Sequence, residues 1–104
     1  MTPKTKPCAR LFRTDYPGTG RVRSEGLLER GKQDGTWTYY YPDGSLERRA
    51  RFAAGVLHGH EQRFYRSGAL RAEAWWDEGR RVGTWRWYAE DGAVREEVAY
   101  SRAA

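Results

Sequence analysis

Isoleucine is absent from this chain, and leucine, valine and phenylalanine are sparse. A core of branched aliphatics is thereby excluded, and on that count alone the sequence falls among disordered chains. Cysteine occurs once, at Cys8, which excludes an internal disulfide and reads as an idle thiol in a polar tail. No apolar run is long enough to span a membrane as a helix. Met1 to Arg10 carry basic residues with no apolar stretch behind them, so no secretory signal is expected, and a reducing cytoplasm is the expected location. No Gly-rich loop opens a helix that could receive a phosphate.

Aromatics are what the chain does have. Five Trp, seven Tyr and three Phe can each bury a large area and replace the missing aliphatics, giving a thin aromatic core such as a single sheet would have. The 104 residues suit one domain, and the net charge of +5 is unevenly placed. Residues 1–30 carry +4, whereas 31–54, 55–78 and 79–102 carry +1, −1 and +1. A nucleic-acid binder is expected to carry its positive stripe on its main surface, so this distribution weakens that reading.

The sequence repeats every 24 residues. Gly31, Gly55 and Gly79 recur in phase, as do Gly35, Gly59, Gly83 and Gly44, Gly68, Gly92. Between them recur Tyr40, Phe64, Tyr88; Leu46, Leu70, Val94; and Phe52, Trp76, Tyr100. A fixed period of this kind signals a repeat array, which presents a surface more often than it builds a catalytic pocket.

Within one unit, Thr36–Tyr41 consists of β-branched and aromatic strand formers. Pro42-Asp43-Gly44 has the chemistry of a type I turn followed by a left-handed glycine, a three-residue hairpin loop closing on a bulge. The return strand is Ser45 to Phe52, so each unit is one β-hairpin. The loop sets Tyr40 opposite Leu46, and the later units set Phe64 opposite Leu70 and Tyr88 opposite Val94. These apolar columns are assigned to the buried face. Alternation puts Trp37, Tyr39, Tyr41, Trp85 and Trp87 on the other face, where the middle unit has Glu61 and Arg63. The switch from Trp to Glu and back reads as relaxed structural constraint. These aromatics either stack over the sheet or carry a partner's contacts, and both readings stand.

Shifting the columns back by 24 finds a degenerate unit: Tyr16, Gly20, Val22 and Leu28 fill the Tyr40, Gly44, Leu46 and Phe52 slots, while Leu11 and Arg13 fill those of Gly35 and Trp37. The expected organisation is a disordered tail over 1–9 and one all-β domain over 10–104. That domain comprises a degenerate repeat (10–30), repeats 31–54, 55–78 and 79–102, and fraying from Ser101 to Ala104. About eight strands should form a single-layer antiparallel meander.

Gly31-Lys-Gln-Asp-Gly35-Thr-Trp37, Tyr39-Tyr40, Asp43-Gly44, Leu46 and Phe52 resemble the variant MORN repeat of bacterial proteins. The third unit follows the pattern with Gly79, Gly83, Trp85, Tyr88, Asp91-Gly92, Val94 and Tyr100, and the middle unit departs at His60-Glu61. The resemblance spans about residues 31–100, with the degenerate copy extending it to about residue 10. It implies single-layer sheets of successive hairpins. It also implies binding functions: YwqK-like antitoxins that neutralise a partner toxin, membrane-lipid association, or scaffolding. It supplies no catalytic residue set.

His58-Gly59-His60-Glu61 is the one cluster that suggests chemistry. A shared metal would need a further ligand, with Glu73 and Asp77 the candidates. Because Gly59 is read as a loop glycine, His58 falls in a connection and the pair reads as solvated loop histidines. Asp77-Glu78 and Glu96-Glu97 are neighbours on a strand and face opposite sides, so neither forms a catalytic dyad. No enzyme activity, metal or cofactor is expected.

The leading expectation is a non-catalytic protein-binding module of antitoxin or immunity type. Its contact residues would be Trp37, Tyr39, Tyr41, Arg48, Glu61, Arg63, Trp85, Arg86 and Trp87. The alternatives are an anionic membrane or nucleic-acid surface bound through the basic N-terminal third, or a scaffold role through the open sheet edges.

Overall fold

The computed structural model describes residues 9–101. The tail expected over 1–9 lies outside them, Cys8 included, save that Ala9 opens the first strand. Ser101 follows the last strand, and the rest of the C-terminal segment also lies outside the described residues. Eight strands form one antiparallel sheet in sequence order: β1 (Ala9–Asp15), β2 (Val22–Glu29), β3 (Lys32–Tyr40), β4 (Leu46–Ala53), β5 (Val56–Phe64), β6 (Leu70–Asp77), β7 (Arg80–Tyr88) and β8 (Val94–Tyr100). The sheet measures 44 × 44 × 25 Å.

The loops at one end follow from their turn residues. Gly44 N–H donates to Tyr41 O at 2.9 Å and Tyr41 N–H to Ser45 O at 2.8 Å, closing a type I turn on a left-handed Gly44. The Asp43 carboxylate accepts the Ser45 amide and hydroxyl, at 2.9 and 2.6 Å, and these bonds hold it below its ordinary pKa. Tyr40 faces Leu46, Phe64 faces Leu70 and Tyr88 faces Val94, the register the loop chemistry predicts. One residue of the return strand bulges next to each pair, and these bulge positions hold Glu47, Arg71 and Arg95.

At the other end the units meet in two-residue turns. Arg30, Ala54 and Glu78 have φ of 51°, 50° and 50°, each followed by a left-handed glycine, which is the type I′ geometry matched to strand twist. The first strand of each unit therefore starts four residues earlier than expected, at Lys32 rather than Thr36. Gly35, Gly59 and Gly83 are not loop glycines. They sit inside β3, β5 and β7, where the register against the preceding strand slips. His58 consequently lies in β5 rather than in a connection.

The first unit carries one extra residue. Asp15, not Tyr16, faces Val22, so residues 16–21 connect strands that 41–45 connect in the next unit. The fixed 24-residue shift therefore mislabels the start of the chain. Phe12 faces Gly26 as Trp37 faces Ala50, so the slot assigned to Arg13 belongs to Phe12.

The units are tied at both ends. Tyr16 Oη donates to Tyr40 O, Tyr41 Oη to Phe64 O and Tyr65 Oη to Tyr88 O, each at 2.6 Å, reaching from one unit to the next. Opposite, Gly55 N–H donates to Gln33 O and Gly79 N–H to Leu57 O, both at 2.8 Å.

The expected buried face requires correction. The Tyr40, Leu46, Phe64 and Leu70 columns are only half-buried, and Val94 is 54 % exposed. Burial is concentrated on the other face, where Trp37, Ala50 and Glu61 are 3 %, 0 % and 1 % exposed. With no second layer to pack against, the covered positions are those over which a large side chain lies flat. The small residues Gly26, Ala50 and Ala74 recur at the period of the repeat and provide that floor. A Cβ at Gly26 would stand 2.4 Å from Cδ2 of Trp37, so the indole rests directly on the Gly26 backbone.

Candidate functional site

The cross-strand register groups Phe12, Trp37, Glu61 and Trp85 as one column across the face, each opposite a small residue or Val98. Both Trp members are anchored alike. Trp37 Nε1–H donates to Leu27 O at 2.8 Å, and Trp85 Nε1–H to Trp75 O at 3.0 Å, each reaching the preceding strand. Phe12 packs against Trp37 with ring centroids 6.3 Å apart. Trp85 meets Trp76 and Tyr100 edge-on at 4.9 and 5.3 Å, with Trp87 at 6.0 Å.

Glu61 breaks this column without loosening it. Its Oε2 accepts Arg48 Nε at 2.6 Å and Arg63 Nε at 2.9 Å, and its Oε1 accepts Trp76 Nε1–H at 2.7 Å. Burial pushes the carboxyl pKa up, but the Arg63 bond, the Arg48 charge and the Trp76 donor outweigh it and hold Glu61 below the usual carboxylate range. The reading of this position as relaxed is thus overturned: Glu61 is the largest fully buried side chain among the described residues. One carboxylate serves two guanidiniums, so the cluster keeps a positive charge.

The remaining contact candidates fall into place around this column. Tyr39 lies under Arg48, 5.0 Å from guanidinium to ring, and its hydroxyl accepts Gln33 Nε2–H at 2.9 Å. Tyr41 lies beside Tyr39 with Arg66 above its ring at 5.3 Å. Trp87 and Arg63 line the same cleft as Trp85. Arg86 does not join them. Strand alternation sends it to the opposite face, where it pairs with Glu97 at 2.6 Å.

Sequence reasoning left out Phe12, Trp76, Arg81 and Tyr100, all on this face. Arg81 lies over Trp85 and Tyr100 at 5.5 and 5.8 Å. The recurring Phe52, Trp76, Tyr100 column is the available signal, and its face follows from pairing with Gly35, Gly59 and Gly83, two residues before Trp37, Glu61 and Trp85.

The histidines are engaged separately. His58 Nδ1 accepts the Glu78 amide at 3.1 Å, with Asp77 Oδ1 at 3.5 Å. His60 stacks on Trp75 at 4.2 Å, and both histidines line one cleft with Trp75 on the face opposite the Trp37 column. No group of three His, Cys, Asp or Glu positioned to hold a metal occurs among the described residues.

No curated protein and no solved structure matches the chain at a significant level. A family model described as "MORN repeat variant" matches residues 33–53, 57–74 and 81–101, more than half of the chain, and its three matches fall on the hairpins β3–β4, β5–β6 and β7–β8. With the recurring glycine turns, the indole column and the meander in sequence order, these three matches place the chain in the MORN repeat variant family.

Proposed function

We propose that this chain is a non-catalytic protein-binding module of antitoxin or immunity type, acting in the bacterial cytoplasm by occluding a partner protein. Repeats of its family are generally modules that bind proteins or membranes. The observation that carries the reading is the uncovered face of a single-layer sheet, where Tyr39, Tyr41, Trp85 and Trp87 stand among Arg48 and Arg63. Trp, Tyr and Arg held in fixed rotamers are the residues that dominate binding energy at interfaces. Retrieval of one stoichiometric protein from the native host, and rescue of growth when that protein is co-expressed, is the expected result. Retrieval of no protein at all sinks the reading.

A second reading rests on the charge of the same face. Arg48, Arg63, Arg71, Arg81 and Arg95 outnumber Glu47, Glu61 and Glu96, a balance that also suits an anionic lipid surface. Such binding falls steeply with salt. Phosphatidylserine liposomes that retain no protein even at low salt would exclude it.

A further inference from the structure

Glu61 stands in the register slot of Trp37 and Trp85, each of which carries its indole to the preceding strand. A carboxylate is much smaller than an indole, and it is drawn toward Arg48 on one side and Trp76 on the other. On the side of β6 and β7 the face carries a cleft of about 250 Å³ beside Glu61, floored by Ala72 and Ala74 and walled by Trp76, Trp85 and Trp87, with Glu73 also in its lining. That volume lies under the ~300 Å³ at which small-molecule pockets begin, and it suits one large side chain. Arg63 and Arg81 stand at its rim.

We infer that this cleft receives a single apolar side chain from an acidic segment of a protein partner, the flanking carboxylates pairing with Arg63 and Arg81. The inference rests on the protein-binding reading and names the place and chemistry of contact. Charge complementarity selects the occupant. Both oxygens of Glu61 are already bound within the chain, so the positive charge of Arg48 and Arg63 is only half offset. Arg71 lies close by, beside Arg48 and Arg63, and with Arg81 these four arginines exceed the carboxylates of Glu47, Glu61 and Glu73 that line the same two clefts. The walls favour an aliphatic or aromatic side chain over a stacked base. The Trp85 ring is already met edge-on by Trp76 and Tyr100 and covered by Arg81, which leaves little open π-face. The wall is also rigid: Trp85 Nε1–H is held by two carbonyls, at 3.0 and 3.2 Å, so little side-chain ordering remains to oppose binding.

Titration with the peptide Ac-Asp-Asp-Leu-Asp-Asp-NH2, followed through the indole N–H resonances of the intact protein, tests the inference. Shifts should concentrate at Trp76, Trp85 and Trp87, and replacing the four Asp by Lys should abolish them. Ala72→Leu fills the cleft from its floor and should weaken binding by about tenfold or more. Arg81→Glu, an exposed change that leaves the core intact, should weaken it similarly and keeps the test decisive if Ala72→Leu fails to fold. Absence of shifts at millimolar peptide, or equal binding by the folded variants, overturns the inference. So does perturbation of these indoles by oligothymidylate or phosphatidylserine vesicles but not by the peptide. A native partner retained equally by wild type and Arg81→Glu would remove the cleft and leave the protein-binding reading standing. Retention of no partner by wild type would remove that reading itself.

Discussion

A single glycine governs the most buried aromatic. Trp37 lies on Gly26, and the space for a Cβ there is already filled by the indole. Gly26→Ala should force the ring off its carbonyl acceptor and cost about 1–3 kcal/mol, read as a lower urea midpoint with an unchanged slope. Glu61 offers a pH-dependent counterpart. Its folded pKa is depressed, so its contribution is complete above the unfolded value near ~4.3 and is lost as pH falls through the lower folded value. Glu61→Gln should cost about 1–2 kcal/mol at neutral pH, the arginines being partly exposed, and the gap to wild type should close below that window in urea titrations. Neither residue's importance was legible from its own column. The Trp-to-Glu switch looked permissive because the column was read along the chain, whereas Arg48, Arg63 and Trp76 reach Glu61 from within β5 and from both neighbouring strands. The small column of Gly26, Ala50 and Ala74 was in the sequence. Its meaning depends on which strand an indole leans over.

At the level of strands and turns, Pro42-Asp43-Gly44 was sufficient to fix loop type and register. The type I′ turns escaped notice because Arg30, Ala54 and Glu78 are not the Asn or Asp that usually announces them. The in-strand glycines read as loop glycines for a related reason: a left-handed glycine marks a bulge as readily as a turn. The one-residue insertion in the first loop hid Phe12 behind Arg13, since only pairing reveals a shift that a fixed period conceals. The tyrosine ties make a test specific to this level. Tyr65→Phe removes the bond to Tyr88 O and should cost about 0.5–1.5 kcal/mol in thermal or urea melts. Ala89 occupies the same slot in the last hairpin, where no further strand follows among the described residues, so Ala89→Tyr should change stability by no more than about 0.5 kcal/mol.

For the molecule as a whole, the unit rather than the residue is the quantum of structure. Deleting residues 55–78 joins Ala54 to Gly79, which preserves a type I′ turn and hands the Tyr41 hydroxyl the Tyr88 carbonyl in place of that of Phe64. The shortened chain should still melt cooperatively, at a lower temperature, and scatter X-rays as a narrower sheet. Deleting 55–66 instead would pair strands of mismatched bulge and turn pattern and should leave no cooperative transition by circular dichroism. The meander order has one more consequence. Strands β1 and β8 are the two edges, and the start of the one and the end of the other lie at the same end of the sheet, seven strand spacings or roughly 34 Å apart. A force applied between the two termini would run across the strands rather than along them. It would load one ladder bond at a time and peel the sheet from an edge, so a molecule tied at both ends against thermal opening should yield under tension in small successive steps.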